Sequence, residues 1–202
     1  MAGTALVTGA SSGIGAAVVR ALTGAGFTVH AMARRVERLA ALAAETGCLP
    51  VVADVRDTAR LEEVVAGIAP DLLVNNAGLG AGMTGLVRAS AEDIATTIET
   101  NVTALLQLTR LVLPGMIERG RGHIVNLGSV AGIYPINSVV YGGSKGAEHL
   151  ISQNLRLELR GTGIRVTEIN PGRVTTEFFD VAVKNETASV PKAPPITQIT
   201  AD

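Results

Sequence analysis

The stretch Thr4-Ala-Leu-Val-Thr8-Gly9-Ala-Ser-Ser-Gly13-Ile-Gly15 decides how the rest of the chain is read. A short apolar strand runs directly into three closely spaced glycines. After them Ile14, Val18, Leu22 and Ala25 recur at the spacing of one helix face. Gly24 and Gly26 end that helix, and residues 27–33 read as a second strand. Strand, glycine turn, helix and strand in about thirty residues is the context that a dinucleotide fingerprint requires. Glycines let the backbone approach a pyrophosphate. The helix N-terminus offers unpaired N–H groups and the positive end of a dipole. The spacing is G-x-x-x-G-x-G, and no G-K-[ST] of a P-loop is present. A turn whose glycines serve packing alone is the competing reading, and the flanking elements argue against it.

The second strand runs into Arg34-Arg35, and no acidic residue lies between Gly15 and Val36. An acidic residue near this point takes a ribose 2′-hydroxyl, whereas arginine accommodates a 2′-phosphate. The pattern therefore favours NADP over NAD. Helix 36–46, strand 49–55 with Asp54 near its end, helix 58–68 and strand 72–78 ending Asn75-Asn-Ala-Gly78 continue the alternation. A long helix is predicted over 91–113, with Ile94, Ile98, Asn101, Leu105, Leu108 and Val112 on one stripe. Strand 123–127 leads to Ser129 and a loop. The next helix carries Tyr141-Gly-Gly-Ser-Lys145 in its first turns, with an apolar stripe of Ala147, Leu150, Ile151, Leu155 and Leu159. Strand 163–169 ends at Asn170-Pro171-Gly172. Tyr141 and Lys145, four apart, share a helix face, and an ammonium close to a phenol favours the phenolate. Six strands alternating with helices predict an α/β fold. It is a doubly wound parallel sheet of Rossmann type, in the order 3-2-1-4-5-6, whose ligands lie at the carboxyl ends of the strands.

Bulk properties exclude other classes. The 202 residues suit one domain, read as 1–202. A formal net charge of −1 with scattered basic residues gives no footprint for nucleic acid or an anionic membrane. At 2 % aromatics, stacking on bases has little to work with. Cys48 is the single cysteine, so neither an intrachain disulfide nor a cysteine-rich metal site is expected. No apolar run reaches the ~20 residues that span a bilayer. The start lacks a basic, signal-like region. The expected location is the cytoplasm, with no metal.

With these pieces in order, the sequence resembles the short-chain dehydrogenase/reductase family. The resemblance rests on Thr8-Gly-Ala-Ser-Ser-Gly-Ile-Gly15, Asp54, Asn75-Asn-Ala-Gly78, Asn101, Ser129, Tyr141 with Lys145, and Pro171-Gly172 with Thr175. It implies direct hydride transfer between NADP(H) and the carbonyl or alcohol carbon of a small molecule. Tyr141 would be the acid or base, and Lys145 would lower its pKa and hold the nicotinamide ribose. Ser129 would hold the substrate oxygen, and Asn101 would order a water relay to Lys145. Gly9, Ser11, Ser12, Gly13 and Ile14 would follow the phosphates, and Arg34 and Arg35 would meet the 2′-phosphate. Asp54 and Val55 would meet the adenine, and Asn76, Ala77 and Gly78 the adenine ribose and its surroundings. Pro171, Gly172 and Thr175 would close over the nicotinamide. Segment 178–202 would be the substrate lid, and Arg173 a candidate for a substrate carboxylate.

The resemblance also implies a homodimer or homotetramer, paired through the helices that carry Asn101 and Tyr141. Family members continue from a helix start like Thr200-Ala-Asp202 into a final helix and seventh strand. Both are expected to be missing here, leaving strand 163–169 as an exposed edge. The competing function is therefore a protein that binds NADP without catalysing, or a scaffold. The broader competitor is a nucleotide-binding domain of another doubly wound family. The segment from Asn126 to Phe178 is closer to enzymes of small hydroxy acids than to those of lipids or steroids.

Overall fold

The computed structural model describes residues 3–83, 85–178 and 199–200. Among them, β1 (Thr4–Thr8), β2 (Thr28–Ala33), β3 (Leu49–Val52), β4 (Leu72–Asn75), β5 (Gly122–Leu127) and β6 (Ile164–Ile169) form one sheet. Its order is β3-β2-β1-β4-β5-β6, and every pairing is parallel. This is the doubly wound arrangement that the alternation predicts. Helices α1 (Gly13–Gly24), α2 (Val36–Thr46), α3 (Thr58–Ile68) and α6 (Val139–Glu158) cover it, together with a helical segment between β4 and β5.

The two faces follow from side-chain alternation along β1. Ala5 and Val7 join Val19, Leu39 and Val74 in one core. Leu6 joins Leu61, Leu73, Leu108, Ile124 and Leu155 in the other. A strand buried on both faces reads as a continuous apolar run, which is what the opening stretch shows.

Four expectations change. The helix predicted over 91–113 is three pieces: α4 (Ala91–Ile98), a π-helical turn (Glu99–Thr103) and α5 (Ala104–Glu118). The extra residue of the π turn shifts the phase. Ile94 and Ile98 therefore face solvent, while Thr97, Asn101, Leu105, Leu108 and Val112 are buried. The segment also runs through Pro114, held by burial of Val112 and Met116 on either side of it. The third strand stops at Val52, before Asp54. Leu150 of the α6 stripe is exposed, and Ser144, Lys145, Glu148 and Ser152 are buried in its place.

At the chain's far end, β7 (Val174–Thr175) pairs in parallel with β8 (Ile199–Thr200), so Thr200 is in a strand and not at a helix start. Apart from Phe178, Ile199 and Thr200, the expected lid lies outside the described residues. β6 is the edge of the described sheet, with Ile164 buried and Ile169 exposed.

Candidate active site

The glycine turn after β1 is shaped by its neighbours. Gly9 has φ +64°, a conformation that favours glycine. A Cβ on Gly15 would overlap the Gly9 carbonyl oxygen, which closes the turn against the start of α1. Asn76, just past β4, donates its amide to the Thr8 carbonyl at 2.8 Å and the Gly9 carbonyl at 3.3 Å. The buried Thr8 hydroxyl accepts from the backbone N–H of Asn76 at 3.0 Å and of Ala77 at 2.9 Å. Asn76 thus ties the carboxyl ends of β1 and β4 together.

The two arginines after β2 separate. Arg34 has a side chain 67 % exposed, 3.7 Å from Asp54. Arg35 turns into the glycine turn, donating to Ser11 Oγ at 2.9 Å and Ser12 Oγ at 2.6 Å. Arg35 and Arg38 also grip the Glu177 carboxylate, at 3.1 and 2.6 Å. Arg38 first, and then Arg35, hold that carboxyl below the usual range. Asp54 is likewise lowered, first by its hydrogen bond from Arg56, with Arg34 adding. Val55 packs on the second core, one residue past Asp54.

The guanidinium groups of Arg35 and Arg38 already hold one anion, the Glu177 carboxylate, at the mouth of the turn. Their chemistry fits a phosphorylated dinucleotide. Sequence reading did not single out Arg38 or Glu177. Arg38, four residues past Arg34 on the opening turn of α2, was the available signal.

A second group of residues converges at the ends of β4 and β5. Asn101, 1 % exposed, sits on the π turn. Its Oδ1 accepts from the Leu79 N–H and its amide donates to the Leu79 carbonyl, both at 2.9 Å. The same amide donates to Ser144 Oγ at 2.9 Å, and Ser144 donates to the Tyr141 carbonyl at 2.8 Å. A Cβ on Gly78 would lie 3.4 Å from Asn101 Oδ1 and 3.7 Å from Lys145 Nζ, so these polar ends flank one point. Lys145 Nζ donates to the Leu127 carbonyl and to Glu148 Oε2, both at 2.7 Å.

Ser129, at the end of β5, accepts from the Ala131 N–H at 3.1 Å, and its own N–H donates to Asn170 Oδ1 at 3.0 Å. The Val130 N–H donates to the Pro171 carbonyl at 3.1 Å, tying the two loops together. The Tyr141 ring lies 5.5 Å from that of Phe178, tilted by 50°. Thr176 packs beside Gly13, bringing the segment after Gly172 and Thr175 over the glycine turn. Asn101 and Lys145 therefore meet beside Gly78, Tyr141 joins the same network through its carbonyl and Ser144, and Ser129 lies on the loop just past β5. Ser144, Glu148 and Asn170, which hold them there, were not singled out from sequence.

A family model described as short chain dehydrogenase matches residues 3–187. The chain belongs to the short chain dehydrogenase family. Among its relatives, the NADP-dependent 3-hydroxy acid dehydrogenase YdfG of Escherichia coli strain K12 is 45% identical over 196 residues, covering 93% of this chain and 79% of that protein. The closed form of serine dehydrogenase complexed with NADP+ superposes with a TM-score of 0.87 at 45% identity, covering 91% of this chain and 77% of the other. A short-chain dehydrogenase from Sphingobium yanoikuyae in complex with NADPH gives a TM-score of 0.87 at 35% identity, covering 98% and 80%. Among the described residues no group of His, Cys, Asp and Glu is arranged to hold a metal. No helix among them is long and apolar enough to cross a membrane.

Proposed function

We propose that this short chain dehydrogenase is an NADP(H)-dependent oxidoreductase that interconverts a small secondary alcohol, of the hydroxy-acid class, and its carbonyl. The carrying observation is that Asn101 and Lys145 meet beside Gly78, with Tyr141 one turn before Lys145 on the same helix and tied to Asn101 through Ser144, in a fold whose glycine turn has arginines that already hold an anion. NADP(H), when bound, supplies or accepts the hydride. In the reducing direction Tyr141 gives its phenolic proton to the carbonyl oxygen, and in the oxidising direction it takes the hydroxyl proton. Ser129 Oγ accepts from the Ala131 N–H, which leaves its own O–H to donate to that oxygen. Lys145 supplies positive charge near the phenol, and Asn101 fixes both the Leu79 backbone and Ser144.

Arg35, with Arg34 and Arg38 beside it, takes the 2′-phosphate. Asp54, Val55 and the Asn76-Ala77-Gly78 turn border the adenosine half, and Pro171, Gly172 and Thr175 the nicotinamide half. The hydroxy-acid class is supported by the relative named for that substrate. The described residues belong to one domain. Copies associate through the outer faces of α4, α5 and α6, where Ile94, Ile98, Leu106, Leu150 and Leu157 are exposed.

The test is NADPH oxidation with a panel of small 3-oxo acids and ketones, and NADP+ reduction with the matching alcohols. Tyr141→Phe should lower turnover by about 10²–10⁴-fold, the usual contribution of a general acid. Turnover by Tyr141→Phe equal to the parent would reject the assignment.

A further inference from the structure

Glu148 has no part in the reaction just described, and its position is unusual. It lies on α6 one turn beyond Lys145, and the two side chains are 2 % and 7 % exposed. Burying a carboxylate against an ammonium costs desolvation that the attraction barely repays, so an apolar pair in place of both residues would stabilise the fold at least as well. The pair does something other than hold α6 down. Lys145 Nζ carries three N–H donors. One goes to Glu148 and one to the Leu127 carbonyl. That geometry leaves a single donor and pins the ammonium at the carboxyl end of β5.

The other groups around Glu148 are few. From β6, Glu168 faces the same interface, and its own carboxylate is held by His149 Nδ1 at 2.8 Å and lies 4.0 Å from Arg156. β5 presents the neutral Asn126, bonded to Ser152, whose hydroxyl donates to the Glu148 carbonyl. The segment between β4 and β5 presents the neutral Asn101 and Thr109. Burial pushes the Glu148 carboxyl up, Lys145 pulls it down, and the Glu168 charge adds to the rise. Lys145 is thus the cation that opposes the rise, and Glu148 is the carboxyl hydrogen-bonded to Lys145.

We propose that Glu148 is a positioning residue that fixes the Lys145 ammonium beside β5 and tempers the charge that Lys145 presents to Tyr141. The inference rests on the proposed roles of Tyr141 and Lys145. Removing the Glu148 charge leaves the full ammonium acting on the phenol, which favours the phenolate. Residues 141 and 148 are two turns apart, roughly 10 Å along the helix. At an effective dielectric of about 20, a unit charge at that range shifts a proton equilibrium by about one pH unit.

The chain has two tyrosines and no tryptophan, so in a Tyr134→Phe background the near-ultraviolet phenolate band reports Tyr141 alone. Titrated this way, Glu148→Gln should lower the Tyr141 midpoint by about one pH unit, and Lys145→Met should raise it. The acidic limb of alcohol oxidation should move down with the first variant, with KM for the alcohol little changed. Glu148→Met fills the same volume without the carboxyl and carries the test if the Gln variant does not fold. A midpoint that stays put or rises in the folded Glu148 variant, while Lys145→Met moves it, overturns the inference and leaves the Tyr141–Lys145 pair intact. If Lys145→Met also leaves the midpoint in place, the underlying pair fails and the inference with it.

Discussion

Asn101→Leu is the sharpest test of how the site is held. The substitution keeps size and buries an apolar group, so its cost comes from the partners left behind. Asn101 makes three hydrogen bonds: one from the Leu79 N–H, one to the Leu79 carbonyl and one to Ser144 Oγ. In the variant the two Leu79 backbone groups and the acceptor side of Ser144 lose their partner. Each buried group left unsatisfied costs about 1–3 kcal/mol. Ser144 keeps its own donation to the Tyr141 carbonyl, so its loss lies at the low end. The total is about 3–7 kcal/mol. For a chain of this size, with about 2–4 °C per kcal/mol, the melting midpoint should fall by about 6–28 °C. Thermal unfolding followed by circular dichroism measures it, with Asn154→Leu on the exposed face of α6 as the control expected to stay within about 2 °C. If Asn101→Leu melts within about 2 °C of the parent, the three bonds are not what ties the loop after β4 to α6.

The two arginines after β2 should differ. Arg35→Ala, which removes the guanidinium that contacts both Ser11 and Ser12, should raise the NADPH dissociation constant by about 10–100-fold more than that of NADH. Arg34→Ala, which faces out toward Asp54, should do so by less. Calorimetric titration of both cofactors decides it, and equal losses for NADPH and NADH in the Arg35 variant would refute the 2′-phosphate reading. Association through the outer helix faces predicts that Leu106→Asp with Leu150→Asp lowers the sedimentation coefficient to that of the monomer. An unchanged coefficient would move the interface elsewhere.

What was legible in the sequence and what was not have a common physical origin. The fold was legible because each strand is buried on both faces and each turn needs its glycine, so composition and spacing carry the information locally. The glycine turn, the Asn75-Asn76 pair and the Tyr141–Lys145 spacing were legible for the same reason. The π turn was not. Inserting one residue leaves the hydrophobic repeat nearly intact and changes only its phase, so Ile94 and Ile98 read as buried when Thr97 and Thr100 are. The inward face of α6 was misread because a stripe of Ser144, Lys145, Glu148 and Ser152 looks solvated until their partners are known. Those partners are the Leu127 carbonyl and Asn126, on a strand about twenty residues earlier. A usable signal existed: counting back from Leu155 in steps of three and four lands on Ser152, Glu148, Lys145 and Tyr141. In the same way the spacing could nominate both Arg34 and Arg35, but which one turns inward depends on the Ser11 and Ser12 hydroxyls across the sheet edge.

The arrangement of α6 explains how a charged helix face can be buried without the fold failing. Its second half carries Leu155, with Leu159 directly after it. Both sit in the apolar core with Ile164 and Ile124, and their burial fixes the helix against β5 and β6. Before Leu155 it carries the buried polar residues Ser144, Lys145, Glu148 and Ser152, each of which meets a partner. Asn126 donates to Ser152, Asn75 donates to Asn126 and to Thr109, and Lys145 reaches a strand carbonyl. A satisfied buried network is rigid because moving any member leaves another unpaired. The apolar half therefore supplies the binding energy and the polar half the precision. Tyr141, on the turn before Lys145, inherits its position from both. A substitution in the apolar half should weaken the whole protein while leaving the pH dependence of the chemistry in place, whereas one in the polar half should change that dependence even where the fold survives. The division follows from chain position alone: the apolar residues lie toward the amino ends of the strands, and the polar ones at the carboxyl ends, where a parallel sheet binds its ligands.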